Sequence, residues 1–222
     1  WGRRLKWPDD YFRAWWALEY IQNEYKGEES VLSDYVGNFR KSTGISISQS
    51  FSRNSLDRAE FPTQGSSASL VSKFSGGILR GDEHFHKHVL SLDWYTPTFW
   101  KFVLTSSIKI GTIKMLDVKN SNEWIPPYER FIMGGNGIPY GTMLRGYPDN
   151  SVGPLSSQGR SFGGNTMIKY STEFRFPFSE NPVVYAMLFA EAGSVWNDSQ
   201  LMHSLALERK NPLDLKRSAG IG

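Results

Sequence analysis

Apolar and polar residues alternate strictly in two stretches of the chain. In GISISQSFS, residues 44–52, serines occupy every second position, and isoleucine, glutamine and phenylalanine face the other way. In MIKYSTEFRF, residues 167–176, Lys169, Glu173 and Arg175 share one face, and mostly aromatic residues share the other. Because successive side chains of a strand point to opposite faces, this pattern predicts half-buried β-strands.

Further segments show the same period less regularly, which gives about nine strands and no convincing amphipathic helix. These segments cover about residues 1–7, 11–22, 66–76, 87–96, 101–113, 183–196 and 215–222. The chain is therefore predicted to be all-β.

The connections between these segments alternate between short and long. Short ones such as PDD, PTFW and PFSENP take turns with long ones, the longest of which covers residues 114–163. Short turns on one side and long loops on the other are typical of antiparallel transmembrane β-barrels, whose strands contain about 9 to 11 residues. A soluble β-sandwich also alternates in hydrophobicity, but it has no reason to segregate its loops by length.

An open sheet of this size would leave unpaired backbone groups in lipid at both edges, each costing on the order of several kcal/mol. Bacterial single-chain barrels also have even strand numbers. Residues 1–222 are therefore predicted to form one partial outer-membrane β-barrel domain, an incomplete segment of a larger barrel.

The amino-acid composition limits which partners and which kinds of site chemistry can be expected of this chain. Aromatic residues make up 14% of the chain, which suits strands and membrane interfaces. The longest apolar run, Val183 to Ala190, is far shorter than a transmembrane helix requires. Cysteine is absent, which removes disulfides and thiolate chemistry. The net charge of +3 comes without a stripe of Lys and Arg, so nucleic acid is not an expected partner.

Five fragments, taken in order, resemble the barrel domain of the BamA family of outer-membrane assembly factors. They are RLKWPDDYF (4–12), SLDRAEFPTQGS (55–66), PPYERFIMGGN (126–136), LRGY (144–147) and FAEAGSVW (189–196). LRGY corresponds to the VRGF-type motif in the family's long extracellular loop. The resemblance runs from end to end of the chain.

The resemblance implies a sixteen-stranded barrel in the outer membrane, with about five strands preceding Trp1, two and most of a third following Gly222, and POTRA repeats upstream. It implies a non-enzymatic function without a cofactor, the assembly and insertion of β-barrel proteins. Implied partners are unfolded outer-membrane proteins, periplasmic chaperones, accessory lipoproteins and outer-membrane lipid. A TamA-like relative or a two-partner secretion transporter is the nearest alternative, and an outer-membrane hydrolase barrel is a more distant one.

The resemblance also identifies a candidate site in the loop at 114–163, which in the family folds into the barrel lumen. Its motif residues are Leu144, Arg145, Gly146 and Tyr147, and it implies Glu173 and Glu191 on the inner wall as partners of the arginine. Gly146 would allow a turn forbidden to other residues, and Tyr147 would pack against the wall. Lys169 and Arg175 share a face with Glu173 and are rival partners for it.

The spacing of the two glutamates permits a separate prediction. A hairpin turn centred near Asn181 and Pro182 would place Glu173 directly opposite Glu191 on adjacent strands, because both are nine residues from position 182. Directly opposed carboxylates repel each other, so this register would need a counter-ion such as Arg145. A slip of one residue would turn Glu191 toward lipid.

Three other motifs suggest different chemistry. HFHKH would place His84, His86 and His88 on one face of an extended segment, a spacing that could bind a transition metal, although a polar loop rising into a strand is the favoured interpretation. GGNGIPYG (134–141) lacks the strand and helix that frame a phosphate-binding loop. A nucleophilic triad could be drawn from one loop, but its sequence spacing says little about geometry. Its members would be Asp198, His203 and one of two serines, Ser199 or Ser204.

Overall fold

The computed structural model describes residues 1–27, 36, 40–117, 125–138, 141–155, 161–180, 183–197 and 213–222. Within these residues the chain forms nine β-strands that pair antiparallel in sequence order. The strands are β1 (Gly2–Arg4), β2 (Phe12–Glu24), β3 (Lys41–Asn54), β4 (Gly65–Ser75), β5 (Phe85–Pro97), β6 (Val103–Met115), β7 (Thr166–Glu180), β8 (Val183–Trp196) and β9 (Lys216–Ile221). The all-β antiparallel fold with nine strands is thereby confirmed.

The strands are longer than the strictly alternating segments that predicted them. The alternation at 44–52 lies within β3, and the alternation at 167–176 lies within β7. Two strands at the edges of the sheet are shorter than predicted: β9 covers Lys216–Ile221 rather than residues 215–222, and β1, predicted over residues 1–7, ends at Arg4. Pro8 follows closely, and proline cannot donate a backbone hydrogen bond to a sheet, so the strand cannot continue through it.

The sheet has two chemically different faces. We call the face covered by the segment between β6 and β7 the inner face, and the opposite one the outer face. The outer face exposes large apolar side chains along successive strands, as expected of a surface that meets lipid. Examples are Leu18, Ile47, Phe74, Trp94, Leu104, Tyr170 and Leu188.

The described residues of the segment between β6 and β7, which runs from 116 to 165, pack against the inner face through an apolar cluster. From the loop come Phe131, Met133, Leu144 and Val152, and from the strands Phe85, Ile113, Met167 and Val195. Each is at most 7% exposed. A loop that contributes half of a buried cluster is seated on the sheet by the hydrophobic effect rather than merely connecting two strands.

Two glycines on the inner face make room for this loop. A Cβ atom at Gly111 on β6 would lie 2.4 to 2.9 Å from ring atoms of Phe131, and one at Gly193 on β8 would lie 2.8 Å from the sulfur of Met133. These distances are shorter than van der Waals contact. The absence of a side chain at Gly111 and Gly193 therefore leaves two gaps in the inner face, which we call notches. Phe131 and Met133 of the loop fill them.

The described residues include two short 3₁₀ helices, Gly77–Leu79 and Pro127–Glu129. No helix in this part of the chain is both long enough and apolar enough to cross a membrane.

Candidate functional site

The backbone on both sides of Arg145 is fixed by the loop itself. The preceding residue, Leu144, is fully buried in the apolar cluster and bridges to Gly135 across the loop. The following residue, Gly146, has φ of 82°, in the left-handed region that glycine adopts without strain. Arg145 thus extends from an ordered turn toward β7 and β8.

Arg145 binds Glu191 of β8 through both its backbone and its side chain. Its backbone N–H donates to Oε2 over 2.8 Å, and its Nε and Nη2 donate to Oε1 over 3.0 and 2.7 Å. The side chain of Glu191 is 0% exposed and that of Arg145 is 18% exposed. Charged hydrogen bonds so well shielded from water are stronger than those of a surface pair.

The same guanidinium reaches Glu173 of β7, to which Nη2 donates a short hydrogen bond. Glu173 also accepts hydrogen bonds from Arg175, and Glu191 accepts one from Lys169 over 3.2 Å. We refer to Arg145, Lys169, Glu173, Arg175 and Glu191 as the Arg145 cluster. The two cations considered as rivals of Arg145 therefore join it, and three cations offset two carboxylates that would otherwise repel each other.

Arg145 remains cationic under all ordinary conditions. Burial disfavours the charge, but hydrogen bonds to Glu191 and Glu173 outweigh burial and raise the pKa of Arg145 above its ordinary value. The cluster therefore cannot be switched by deprotonating its arginine.

The predicted register between β7 and β8 is wrong. Glu173 pairs with Phe189, and Glu191 pairs with Ser171, so the two glutamates are diagonal rather than directly opposite. An irregularity between Pro177 and Ser179 shifts the pairing along the hairpin. The error is two residues, and because side chains alternate with period two, both carboxylates still face inward.

The sequence interpretation missed Phe189, whose ring lies beneath the arginine. The guanidinium carbon is 3.8 Å from the ring centroid, within the range of a cation–π contact. Ser171, the strand partner of Glu191, also donates to its carboxylate over 3.3 Å. The sequence could have indicated both residues, because side chains two residues apart in a strand share a face. Phe189 is two residues from Glu191, and Ser171 is two residues from Glu173.

Tyr147 contacts the sheet one strand further along. Its hydroxyl donates to the carbonyl of Arg217 on β9 over 2.9 Å and accepts from the N–H of the same residue over 3.0 Å. Its ring packs against the apolar cluster. All four motif residues, Leu144, Arg145, Gly146 and Tyr147, thus lie on the inner face.

The histidine motif does not converge. His84 accepts a hydrogen bond from the backbone of Gly77, whereas His86 and His88 bond to each other over 3.0 Å on the outer face. Among the described residues, no group of three or more His, Cys, Asp or Glu could hold a metal ion. The triad candidates Asp198, Ser199, His203 and Ser204 lie outside the described residues.

The described glycines of GGNGIPYG serve the loop. A Cβ atom at Gly134 would lie 2.4 Å from the carbonyl oxygen of Pro148, and one at Gly135 would overlap the carboxylate of Asp149. The N–H of Asn136 donates to the same carboxylate over 2.9 Å. These glycines allow two parts of the loop to approach closely, and this packing explains them without a bound phosphate.

Comparisons with known proteins agree on a family. Residues 2–222 match the Omp85 superfamily domain. The outer membrane protein assembly factor BamA of Nitratidesulfovibrio vulgaris is 26% identical over an alignment of 168 residues, which covers 72% of this chain and 20% of that protein. A crystal structure of BamA from Haemophilus ducreyi lacking POTRA domains 1–3 matches with a TM-score of 0.75 at 22% identity, covering 99% of this chain and 46% of that one. The chain thus spans about a fifth of the length of the curated relative and under half of the length of the solved chain.

Proposed function

Because the chain belongs to the Omp85 superfamily, we propose that it acts in the assembly and insertion of β-barrel proteins into the bacterial outer membrane, as part of the central barrel subunit of the assembly machinery. The resemblance to the BamA family and the location in the outer membrane are established by the family match and the similar fold. The activity is the proposal, and it rests on the site.

One observation carries this proposal, the attachment of the long loop to the inner face through Arg145. Arg145 is bonded to Glu173 and Glu191 on two adjacent strands. A loop of this length packed against the inner wall would occupy much of the lumen, which disfavours a passive pore. A loop tied to the wall by buried charges is suited to fixing one barrel conformation.

We expect the Arg145 cluster to act mechanically. It joins the loop to β7 and β8, so the position of the loop and the relative position of these strands depend on each other. The protein would insert its clients by presenting and reshaping a barrel rather than by making or breaking covalent bonds. It would act without a nucleotide or metal, and it is not proposed to be an enzyme.

The partners follow from this activity. Clients would be unfolded outer-membrane proteins delivered by periplasmic chaperones, and accessory lipoproteins would complete the machinery. The outer face, with its exposed leucines, isoleucines and aromatic residues, would contact outer-membrane lipid. Neither a cofactor nor nucleic acid is part of the proposal.

Depletion of the full-length protein in its own cells tests the proposal. The expected result is a parallel fall of many outer-membrane barrel proteins, measured by quantitative proteomics of purified outer membranes. Periplasmic proteins provide the control and should keep their levels.

Three other outcomes would overturn the proposal. The loss of a single secreted client would identify a two-partner secretion transporter, and a defect restricted to a few clients would identify a TamA-like relative. An unchanged barrel proteome together with the loss of a hydrolytic activity would identify a hydrolase barrel.

A further inference from the structure

A second group of buried charges lies on the inner face, away from the Arg145 cluster. Its centre is Glu129, at the end of the 3₁₀ helix Pro127–Glu129 in the long loop, and Glu129 is only 6% exposed. Around it lie Glu19 of β2, Lys73 of β4 and Lys87 of β5. We refer to these four residues as the Glu129 cluster.

Each oxygen of the Glu129 carboxylate has its own lysine. Lys73 donates to Oε1 over 2.7 Å, and Lys87 donates to Oε2 over 3.0 Å. Lys87 also donates to the backbone carbonyl of Glu129 over 2.7 Å, so the main chain of the loop is held together with the side chain. Lys73 bonds Glu19 on its other side over 2.6 Å, which extends the cluster to β2.

The neighbouring Tyr128 makes a separate contact of the loop with the sheet. Its hydroxyl donates to Glu83 over 2.6 Å, and Glu83, 1% exposed, also accepts from Ser42 of β3 over 2.8 Å. A Cβ atom at Gly44 would lie 2.3 Å from Glu83 Oε2, so this glycine leaves the space that the carboxylate fills. Gly44 thus leaves room for the carboxylate that Tyr128 binds.

The two clusters have opposite polarity. At the first, a loop cation lies between two carboxylates of β7 and β8, and at the second, a loop carboxylate lies between two lysines of β4 and β5. Along the loop, three members of the apolar cluster, Phe131, Met133 and Leu144, lie between Glu129 and Arg145. Exchange of the two attachments would bring like charges together, so the polarity specifies one orientation of the loop.

We propose that Glu129 is a second positioning residue of the long loop, which holds its first half to β4 and β5 through Lys73 and Lys87 as Arg145 holds its second half to β7 and β8. The proposal does not depend on the proposed function, since it concerns where the loop is held. Burial of Glu129 disfavours its charge, but Lys87 and Lys73 outweigh burial and keep the pKa of Glu129 below its ordinary value. Glu129 is therefore ionised at neutral pH.

The loop contains its own reporters for a test by proteolysis. Trypsin cleaves after arginine, and Arg130 directly follows Glu129 whereas Arg145 belongs to the other cluster. Trypsin added to intact cells that carry the full-length protein should cut after Arg130 only when the first half of the loop is released. Cleavage after each arginine is quantified separately by mass spectrometry.

We expect Glu129→Gln to accelerate cleavage after Arg130 by about tenfold or more, which corresponds to about 1.4 kcal/mol of lost attachment. Cleavage after Arg145 should change by less than about threefold, because its own cluster is intact. Lys41→Met provides the matched control, since it removes an exposed pair with Glu24 and should alter neither rate.

Charge exchange separates a specific ion pair from general damage. Glu129→Lys should be cleaved fastest, because three cations then meet. Adding Lys87→Glu and Lys73→Gln to it should restore protection. Cleavage after residues 129 and 130 is counted together, since the new lysine is itself a trypsin site.

If Glu129→Gln does not yield a folded barrel, Lys87→Met is measured instead. This variant leaves the contact of Glu129 with Lys73 and should show a smaller acceleration. Unchanged cleavage in the folded single variants, or no protection by the exchange, would overturn the proposal.

Discussion

The backbone N–H and the guanidinium of Arg145 bind the same carboxylate, that of Glu191. The N–H donates to Oε2 over 2.8 Å, while Nε and Nη2 donate to Oε1 over 3.0 and 2.7 Å. Main chain and side chain are therefore fixed by one residue of β8. A lysine at position 145 could keep the backbone contact, but it could not reproduce the planar fork.

Reversal of the charge at position 145 should release the loop. In Arg145→Glu, three carboxylates would meet on the inner face, and breaking a buried ion pair costs about 3 kcal/mol or more. We expect faster proteolysis of the long loop and a reduced level of assembled outer-membrane proteins. Arg145→Lys should show an intermediate effect. Wild-type proteolysis and wild-type assembly in Arg145→Glu would contradict the proposed role.

The two glutamates should not be equivalent. Glu191 has a fully buried side chain and binds Arg145, Lys169 and Ser171, whereas Glu173 is 11% exposed and shares Arg145 with Glu191. We expect Glu191→Gln to destabilise the folded barrel by about 3 kcal/mol, and Glu173→Gln by about half as much. Urea unfolding of the purified protein measures both, and equal losses would show that the burial of Glu191 has no energetic consequence.

The two notches in the sheet should respond differently to a methyl group. Gly111→Ala would place Cβ against the rigid ring of Phe131, whereas Gly193→Ala would mainly meet the flexible side chain of Met133. Overpacking of a rigid core typically costs about 1–3 kcal/mol. We therefore expect Gly111→Ala to destabilise the barrel by about 2 kcal/mol and Gly193→Ala by less than about 1 kcal/mol.

Removal of the ring provides the control for this comparison. Adding Phe131→Leu should relieve much of the strain of Gly111→Ala, because the smaller side chain leaves space for the methyl group. A Gly111→Ala variant as stable as the wild type would mean that Phe131 does not occupy this notch.

The turn between β3 and β4 should depend on the ionisation of Asp57. This carboxylate accepts hydrogen bonds from the hydroxyl and N–H of Thr63 over 2.6 and 2.9 Å and from the N–H of Gln64 over 3.2 Å. Slight burial opposes ionisation, but these hydrogen bonds outweigh it and lower the pKa of Asp57 from 3.8 to about 2. A lowered folded-state pKa stabilises the turn above pH 3.8, and this contribution is lost as the pH falls through 2.

An NMR titration of the Asp57 carboxyl in detergent-solubilised protein measures this pKa. We expect a midpoint near 2, and Asp57→Asn should loosen the turn at pH 7 without a further change on acidification to pH 3. An ordinary midpoint near 3.8 would show that the turn does not hold the carboxylate in the manner seen here.

Strand positions could be predicted because lipid and the inner face impose period two. The segments at 44–52 and 167–176 alternate without a break, and both lie within observed strands. The register could not be predicted, since it depends on the turn. Near the turn, Glu180 pairs with Val183, which centres the hairpin between positions 181 and 182, and the irregularity between Pro177 and Ser179 moves the pairing by one more residue. Each shift of one residue alone would have turned Glu191 to the outer face, and the two shifts together return it to the inner face.

The site was predictable where a motif named its residues and not where only packing determines them. The motif named Arg145, and the resemblance named its two carboxylates. Glu129, Lys73 and Lys87 are far apart in sequence, and their juxtaposition depends on where the loop lies against the sheet. The notch at Gly111 likewise becomes apparent only when the ring that fills it is in place.

A disulfide cross-link tests most directly whether the loop is seated on the inner face through Arg145. A Cβ atom at Gly146 would lie 3.3 Å from Cβ of Ser218 on β9, slightly inside the Cβ separations of about 3.5 to 4.5 Å in disulfides. Because φ of Gly146 is 82°, any side chain there strains the turn, so Gly146→Ala is measured alongside as the control for that strain. The chain has no cysteine, so Gly146→Cys with Ser218→Cys introduces a single pair in this region. The control pair is Gly146→Cys with Ser72→Cys, which points to the outer face and should not form.

The measurement is the rate of cross-linking in the full-length protein in intact cells under mild oxidation. We expect efficient cross-linking in the wild-type background and a rate at least about tenfold lower once Arg145→Glu is added, the factor that corresponds to about 1.4 kcal/mol of lost attachment. Equal rates with and without Arg145→Glu, or no cross-link although the loop of Gly146→Ala resists proteolysis like that of the wild type, would show that the loop is not held through Arg145.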